Sequence, residues 1–244
     1  MPTAIRTHIA PLDCIVIDGG PSPTIPVVIC HGYGASYDDL APLAGEWISM
    51  LGDAAAKLRF VFPDAPNSLA AMGMPDARAW WPINMAGLAE AVQASRFDQL
   101  HKHTPPGIDD ARNAVCQTIA TVRAELGCDT DSPWVMGGFS QGAMLSMDVA
   151  VRGDIPAPSL LILFSGTLVC QPLWKSGLKR LGESQVFQSH GTVDPILPFT
   201  SAERLRDLIG SEKVPLKFHS FVGPHTIDGE SVEITAQMLA KVAG

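Results

Sequence analysis

Pro133-Trp134-Val135-Met136-Gly137-Gly138-Phe139-Ser140-Gln141-Gly142-Ala143-Met144-Leu145 carries an apolar run into a helical pattern, and a serine between two glycines stands near the join. Residues 133–136 read as a strand and residues 141–152 as a helix. Ser140 follows Gly138 by two residues and precedes Gly142 by two, and this G-x-S-x-G spacing has a steric cause. A strand that turns directly into a helix holds its corner residue under strain, and the residues two before and two after that corner crowd one another. Glycine at both positions removes the Cβ atoms that would collide. The corner lifts a hydroxyl clear of the sheet, and the start of the helix aims free N–H groups at the place where negative charge would develop. Ser140 is therefore the candidate nucleophile.

Outward from this corner, short β-rich runs alternate with helical patterns. Strands are expected over residues 12–17, 26–30, 58–62, 160–164, 185–189 and 216–221. Helices are expected over 38–51, 108–126, 200–208, near 174–181 and from about Asp228 onward. In the longest helical pattern Val115, Ile119, Val122 and Leu126 share one stripe, and Gly127 stands just past its end. The strands are continuous apolar runs, such as Leu160-Leu161-Ile162-Leu163-Phe164, rather than alternating ones. Strands covered on both faces read this way, and alternation with helices implies parallel pairing. The expected fold class is α/β: one domain over residues 1–244, with a single mostly parallel central sheet of about seven strands and helices on both faces. The exception is the stretch 64–107, which shows no clear strand and is expected to form a cap or lid-like excursion.

A serine hydroxyl needs a base, and the base needs an orienting acid. When a strand–turn–helix serine is the nucleophile, acid and base follow it in that order from turns after later strands. Residues 185–189 run into His190-Gly191-Thr192-Val193-Asp194-Pro195, and residues 216–221 run into Val222-Gly223-Pro224-His225-Thr226. Asp194, 54 residues after Ser140, and His225, 31 residues after Asp194, are thereby brought to one sheet edge in turns stiffened by Gly and Pro. His190 lies in the same turn as Asp194 and is expected to pack on loop backbone. His219 falls within its strand. His8, His101 and His103 stand outside any strand end, and the His101/His103 pair reads as an exposed polar loop because no third metal ligand is near. Acyl transfer also needs two backbone N–H donors for a tetrahedral oxyanion. Gln141, next after the serine, supplies one, and Tyr33 in Cys30-His31-Gly32-Tyr33-Gly34-Ala35-Ser36 supplies the other. That loop also resembles a dinucleotide-binding G-x-G-x-x-G, but Tyr37 occupies the third glycine position and blocks close helix–strand packing.

Composition sets the outer limits. The 244 residues carry 17 Lys+Arg against 25 Asp+Glu, a formal net charge of −8, without a basic run. A nucleic-acid surface is therefore not expected. No apolar stretch reaches the roughly 20 residues of a membrane span, and the start lacks a basic head followed by an apolar segment, so no secretory signal is expected. The five cysteines, at 14, 30, 116, 128 and 170, are odd in number, widely spaced and free of C-x-x-C. They read as small buried residues of a cytoplasmic protein.

With these motifs quoted, the chain resembles the phospholipase/carboxylesterase family of α/β-hydrolases, which includes acyl-protein thioesterases and small bacterial carboxylesterases. The resemblance runs in order through His31-Gly32-Tyr33-Gly34, Phe62-Pro63-Asp64-Ala65-Pro66, Arg78-Ala79-Trp80-Trp81, Gly138-Phe139-Ser140-Gln141-Gly142, Ser165-Gly166, the segment from His190 through Asp194 to Pro198, and His225. It implies the α/β-hydrolase fold, a Ser140/Asp194/His225 triad, an oxyanion hole at Tyr33 and Gln141, and a structural role for Ser165. It also implies an apolar acyl groove near Trp80 and Ile196, and no metal or organic cofactor. Trp81, Met72 and Met74 are added to the expected groove as apolar neighbours. Four departures stand out: Tyr33 where an aliphatic residue is common, Trp81-Pro82 in place of an aromatic-Asp pair, Pro224 in place of the usual Gly before the histidine, and a different insertion over Met85–Gly107. The expectation is a serine carboxylic-ester hydrolase acting on a small acyl ester. An acyl-thioesterase is the rival within the enzyme class, and a non-catalytic ligand-binding module is the rival outside it.

Overall fold

The run Leu160-Leu161-Ile162-Leu163-Phe164 forms a strand whose alternate side chains enter two different cores. Leu161 and Leu163 join one core, and Leu160, Ile162 and Phe164 join the other. Both faces of such a strand are dry, so its apolar run is unbroken. A computed structural model describes residues 3–244 of the chain.

The strands are β1 (Ala4–Ile9), β2 (Leu12–Asp18), β3 (Ile25–Cys30), β4 (Leu58–Pro63), the two-residue β5 (Asn67–Ser68) and β6 (Arg78–Ala79), β7 (Val135–Phe139), β8 (Leu160–Phe164), β9 (Gln185–Gly191) and β10 (Leu216–Phe221). The helices are α1 (Pro42–Leu51), α2 (Met85–Gln93), α3 (Ile108–Glu125), α4 (Gln141–Arg152), α5 (Gln171–Gly177), α6 (Phe199–Gly210) and α7 (Gly229–Ala243). Eight strands form the main sheet in the order β1-β2-β4-β3-β7-β8-β9-β10. Pairing is parallel from β4 through to β10, and β1 and β2 are antiparallel additions at one end. One core lies under α3, α4, α5 and α6, and the other under α1 and α7. From β3 the chain moves to β4 on one side and later returns to β7 on the other. The loops after β3 and β7 therefore flank a topological switch point, where open α/β sheets place their sites.

The expected count of about seven strands becomes eight because β1 pairs with β2. Five of the six β1 residues are exposed, so the segment has no apolar run to read. The first helix starts at Pro42 rather than residue 38, since proline is accommodated in the first turn and not deeper. Stretch 64–107 contains the short β5–β6 ladder, α2 and a 3-10 turn at Phe97–Lys102.

The five cysteines are free, and all but Cys128 are buried. Burial pushes the Cys116 and Cys170 thiols up to about 11, which suits packing rather than chemistry. Among the described residues, no helix is long and apolar enough to cross a membrane. Asp148 on α4 is fully buried and accepts from Arg112 on α3 at 3.0 Å, Arg152 at 2.9 Å and Trp174 Nε1 on α5 at 2.8 Å. This network ties three helices of one face, and its charge is fully partnered.

His101 corrects one expectation. It is buried, with Nε2 2.8 Å from Ser201 Oγ on α6, and it fixes the 3-10 turn to the body of the domain. His103 stays exposed, as expected of a polar loop. Burial, assisted by nearby Arg204, pushes the His101 imidazole down to about 4. In the unfolded chain it titrates near its ordinary value of about 6.5. The folded pKa is the lower one, so the stabilising contribution is complete above pH ~6.5 and is lost as the pH falls toward ~4. Urea unfolding at pH 7 and 4.5 is expected to show a loss of about 2–3 kcal/mol from this residue in the wild type. His101→Gln should flatten that part of the pH dependence; an unchanged slope would place the acid sensitivity elsewhere.

Candidate active site

Ser140 is the corner between β7 and α4, held at φ 55°, ψ −117°. This left-handed backbone is costly for a residue with a side chain and persists only where the surroundings over-determine it. The Ser140 N–H donates to Phe164 O at 2.9 Å, and its carbonyl accepts from Ala143 and Met144, both at 3.1 Å. The glycine spacing has the expected cause at one position and a further cause at the other. A Cβ on Gly138 would lie 2.5 Å from Gly142 C, whereas one on Gly142 would lie 2.0 Å from Cys30 O at the end of β3.

The three expected residues meet. His225 Nε2 lies 2.8 Å from Ser140 Oγ, and His225 Nδ1 lies 2.6 Å from Asp194 Oδ2. Each comes from the loop at the C-terminal end of a different parallel strand: β7, β9 or β10. Ser165, after β8, also has positive φ, and its Oγ donates to Thr226 O at 2.8 Å, pinning the loop beside His225. The His225 ring packs on Phe139 with centroids 4.8 Å apart.

Asp194 is buried yet charged. Burial works against its charge, but hydrogen bonds from His190, His225 and the Leu197 N–H outweigh that and hold the carboxyl well below the usual carboxylate range. Oδ1 accepts the N–H groups of Ile196 at 2.8 Å and Leu197 at 2.9 Å. His190 Nε2 sits 3.1 Å from Oδ2 and 2.8 Å from Leu197 O, so His190 does pack on loop backbone and also supports the acid. An ionised carboxylate only accepts, so the hydrogen-bond network assigns the His225 proton to Nδ1 and leaves Nε2 free to accept from Ser140. This arrangement can draw a proton from Ser140 onto His225 while Asp194 steadies the resulting cation.

Gly32 and Ser140 are closely packed: a Cβ on Gly32 would lie 3.3 Å from the Ser140 Cβ. Among the described residues, no acceptor takes the N–H of Tyr33 or Gln141, whereas the next N–H, that of Gly34, bonds Arg78 O at 2.9 Å.

A cavity of about 670 Å³ opens beside Ser140 and His225. Much of its wall comes from the excursion, through Trp81, Pro82, Ile83, Met85, Leu88, Phe97 and Leu100, with Met144, Val169 and Ile196 also lining it, and Asp39, Asn84 and His103 add polar groups to it. Trp81 and Ile196 line it as expected. Trp80, Met72 and Met74 do not, and these are corrections. Trp80 is fully buried away from the cavity because its indole N–H and backbone are committed to hydrogen bonds. Met72 is 61% exposed, with its sulfur 3.8 Å from the Tyr33 hydroxyl. Met74 lines an open depression with Asp38 and Asp76 that adjoins the cavity through Ala35 and Asp39. The α2 wall went unread, although Met85 and Leu88 stand at helical spacing there. The Phe97/Leu100 wall, in a 3-10 turn, had no periodic signal.

Outside the cavity, His219, Asp228 and Glu230 bring ligand atoms within 4.8 Å of one another. Asp228 caps α7 through the Ser231 N–H at 3.2 Å and meets His219 at 3.0 Å, so helix capping accounts for the group.

The model of the Phospholipase/Carboxylesterase family matches residues 13–243. Acyl-protein thioesterase 1 of Eremothecium gossypii is 32% identical over 177 residues, covering 72% of this chain and 68% of that protein. The protein of the same name from Mycosarcoma maydis is 25% identical over 239 residues, covering 91% and 93%. Among solved structures, esterase PE8 superposes with a TM-score of 0.72 at 22% identity, over 91% of this chain and 94% of that one. A carboxylesterase from Mesorhizobium loti gives a TM-score of 0.71 at 13% identity, over 97% and 98%. These two likenesses show the fold alone.

Proposed function

Because the chain belongs to the phospholipase/carboxylesterase family of hydrolases, we propose that it is a serine carboxylic-ester hydrolase in which Ser140 is the nucleophile, His225 the base and Asp194 the orienting acid. The observation that carries this reading is the unbroken chain from Ser140 Oγ through His225 to Asp194, at 2.8 and 2.6 Å, beside an apolar cavity. His225 takes the Ser140 proton as Oγ attacks the acyl carbon, and the N–H groups of Tyr33 and Gln141 receive the oxyanion. The imidazolium returns the proton to the leaving oxygen. Water, activated by the same nitrogen, then releases the acid and regenerates the serine.

The cavity supports uncharged acyl esters. Among the described residues, no Lys or Arg lines it, and Arg78, the cation nearest in sequence to Trp80 and Trp81, is paired with Asp64 at 2.9 Å. A phosphate-bearing ligand would meet no counter-charge there. Each methylene that enters the groove contributes at most about 0.8 kcal/mol, so selectivity should rise a few-fold per carbon and stop where the wall ends. Across p-nitrophenyl esters from acetate to laurate, kcat/KM is expected to climb and then fall, with its optimum short of laurate. Trp81→Ala should flatten this series more than it slows acetate hydrolysis; a series that stays steep would remove Trp81 from the groove.

One finding favours a thioester as the scissile bond: the relatives at 32% and 25% identity are both named acyl-protein thioesterase 1. If palmitoyl thioesters exceed every simple ester by about tenfold or more, a difference of about 1.4 kcal/mol in transition-state binding, the thioesterase reading replaces the carboxylesterase one.

A further inference from the structure

Two N–H donors on separate segments, Tyr33 after β3 and Gln141 at the start of α4, must converge on one oxygen, and a chain of buried side chains joins those segments. Gln141 itself is fully buried. Its Oε1 accepts the Trp80 N–H at 2.9 Å and its Nε2–H donates to Trp81 O at 2.8 Å, a two-point clamp on the excursion. From there the Trp80 indole Nε1–H reaches the His31 carbonyl at 2.9 Å, with the indole and imidazole centroids 5.3 Å apart. His31, also buried, closes the chain. Its Nε2 accepts the Ala65 N–H at 3.1 Å and also lies 3.3 Å from Asp64 Oδ1; because the Gly32 carbonyl can only accept, the Nδ1 that stands 2.8 Å from it carries a proton.

The consequence follows from peptide planarity. The C=O of Gly32 and the N–H of Tyr33 belong to one rigid plane and point in opposite directions. A bond that holds the Gly32 carbonyl therefore aims the Tyr33 N–H, and the indole does the same for the plane before it. We propose that His31, Trp80 and the Gln141 side chain are positioning residues that set the spacing and aim of the two oxyanion donors. This rests on the reading of Ser140 as nucleophile. None of the three side chains is assigned a contact with the substrate; they act through the Tyr33 and Gln141 N–H groups.

The test uses the full chain with p-nitrophenyl butyrate, comparing Trp80→Phe, which keeps the ring and removes the indole N–H, with Gln141→Met, which removes both amide bonds at similar length. Deleting an oxyanion donor costs about 10²–10³ in kcat, so misaiming one should lower kcat by about 10- to 100-fold. KM should stay within about twofold, and affinity for an alkyl trifluoromethyl ketone should fall in step with kcat/KM, as expected of a group acting in the transition state. Because both side chains serve one strut, the double variant should lose less than the product of the single losses. A purely structural role would lower the melting temperature and leave kcat within about threefold of wild type; that result overturns the inference, as does a raised KM at constant kcat or fully multiplicative losses. Should Trp80→Phe not fold, Gln141→Met decides on the kcat and KM criteria alone. Failure of the underlying reading is distinct: it appears as hydrolysis surviving in Ser140→Ala, whatever Trp80→Phe does.

Discussion

Ser140→Ala is expected to reduce ester turnover by about 10⁶, the cost of removing the serine from an assembled serine–histidine–acid unit. The hydroxyl meets His225 Nε2 at 2.8 Å, and the strained corner is fixed by backbone bonds that alanine keeps. The variant should therefore fold and melt close to wild type, separating chemistry from stability. His225→Ala should fall to a similar floor, because members of one unit do not contribute additively. Turnover of p-nitrophenyl butyrate and labelling by a fluorophosphonate probe read the same event in two ways. More than about a tenth of wild-type turnover in Ser140→Ala would move the nucleophile elsewhere, since one triad member carries several orders of magnitude. A wild-type chain that resists the probe and hydrolyses nothing would favour the non-catalytic module.

Gly142→Ala is expected to have the largest effect on stability. The added carbon would stand 2.0 Å from Cys30 O and 2.5 Å from His31 O, and both are backbone atoms where the central strand β3 runs into the loop that carries Tyr33. Overpacking costs about 1–3 kcal/mol, and occasionally more; with no flexible side chain to yield, about 3 kcal/mol is expected. At roughly 2–4 °C per kcal/mol for a domain of this size, the melting temperature should drop by about 10 °C. The surviving folded fraction should be slower too, because relief of the clash pushes the His31 carbonyl away from the Trp80 indole. Gly45, within α1, is the control, since a Cβ added there would meet nothing within 4 Å. Gly45→Ala should be neutral or stabilising by up to about 1 kcal/mol. A Gly142→Ala chain that melts with wild type would mean that β3 and α4 are not packed this tightly.

The fold was legible where physics wrote it into short stretches. Residues 160–164 announced a strand dry on both faces, and Val115, Ile119 and Val122 announced one face of a helix; all six buried side chains of β3 fit the same rule. β1 was not legible, because an exposed edge strand has no apolar requirement to leave a trace. In the site, the order of Ser140, Asp194 and His225 was readable because each follows a strand. Trp80 was misread for the converse reason. Two adjacent tryptophans look alike in a sequence, and only the hydrogen bonds made by their backbone and ring decide which faces the cavity. The Gln141 side chain went unread because its neighbour in space, Trp80, lies 61 residues away in the chain.

The histidine hangs from β10, one of the two edge strands of the sheet, which pairs with β9 alone and keeps all six of its residues at least partly exposed. The serine hangs from β7, which is sealed between β3 and β8. Opening of a sheet begins at its margins, at free energies below that of global unfolding. The proposed machinery is therefore unevenly durable. Brief fraying at the margin would withdraw the proposed base while the strained serine, its glycines and the loop carrying Tyr33 remain in register, and the Ser165–Thr226 bond is one of the fastenings that draws it back, beside His225–Asp194 and the Val193–Gly223 backbone bond. Under mild heating the lifetime of the working state is set by the seam between β9 and β10 rather than by the core that shapes the nucleophile.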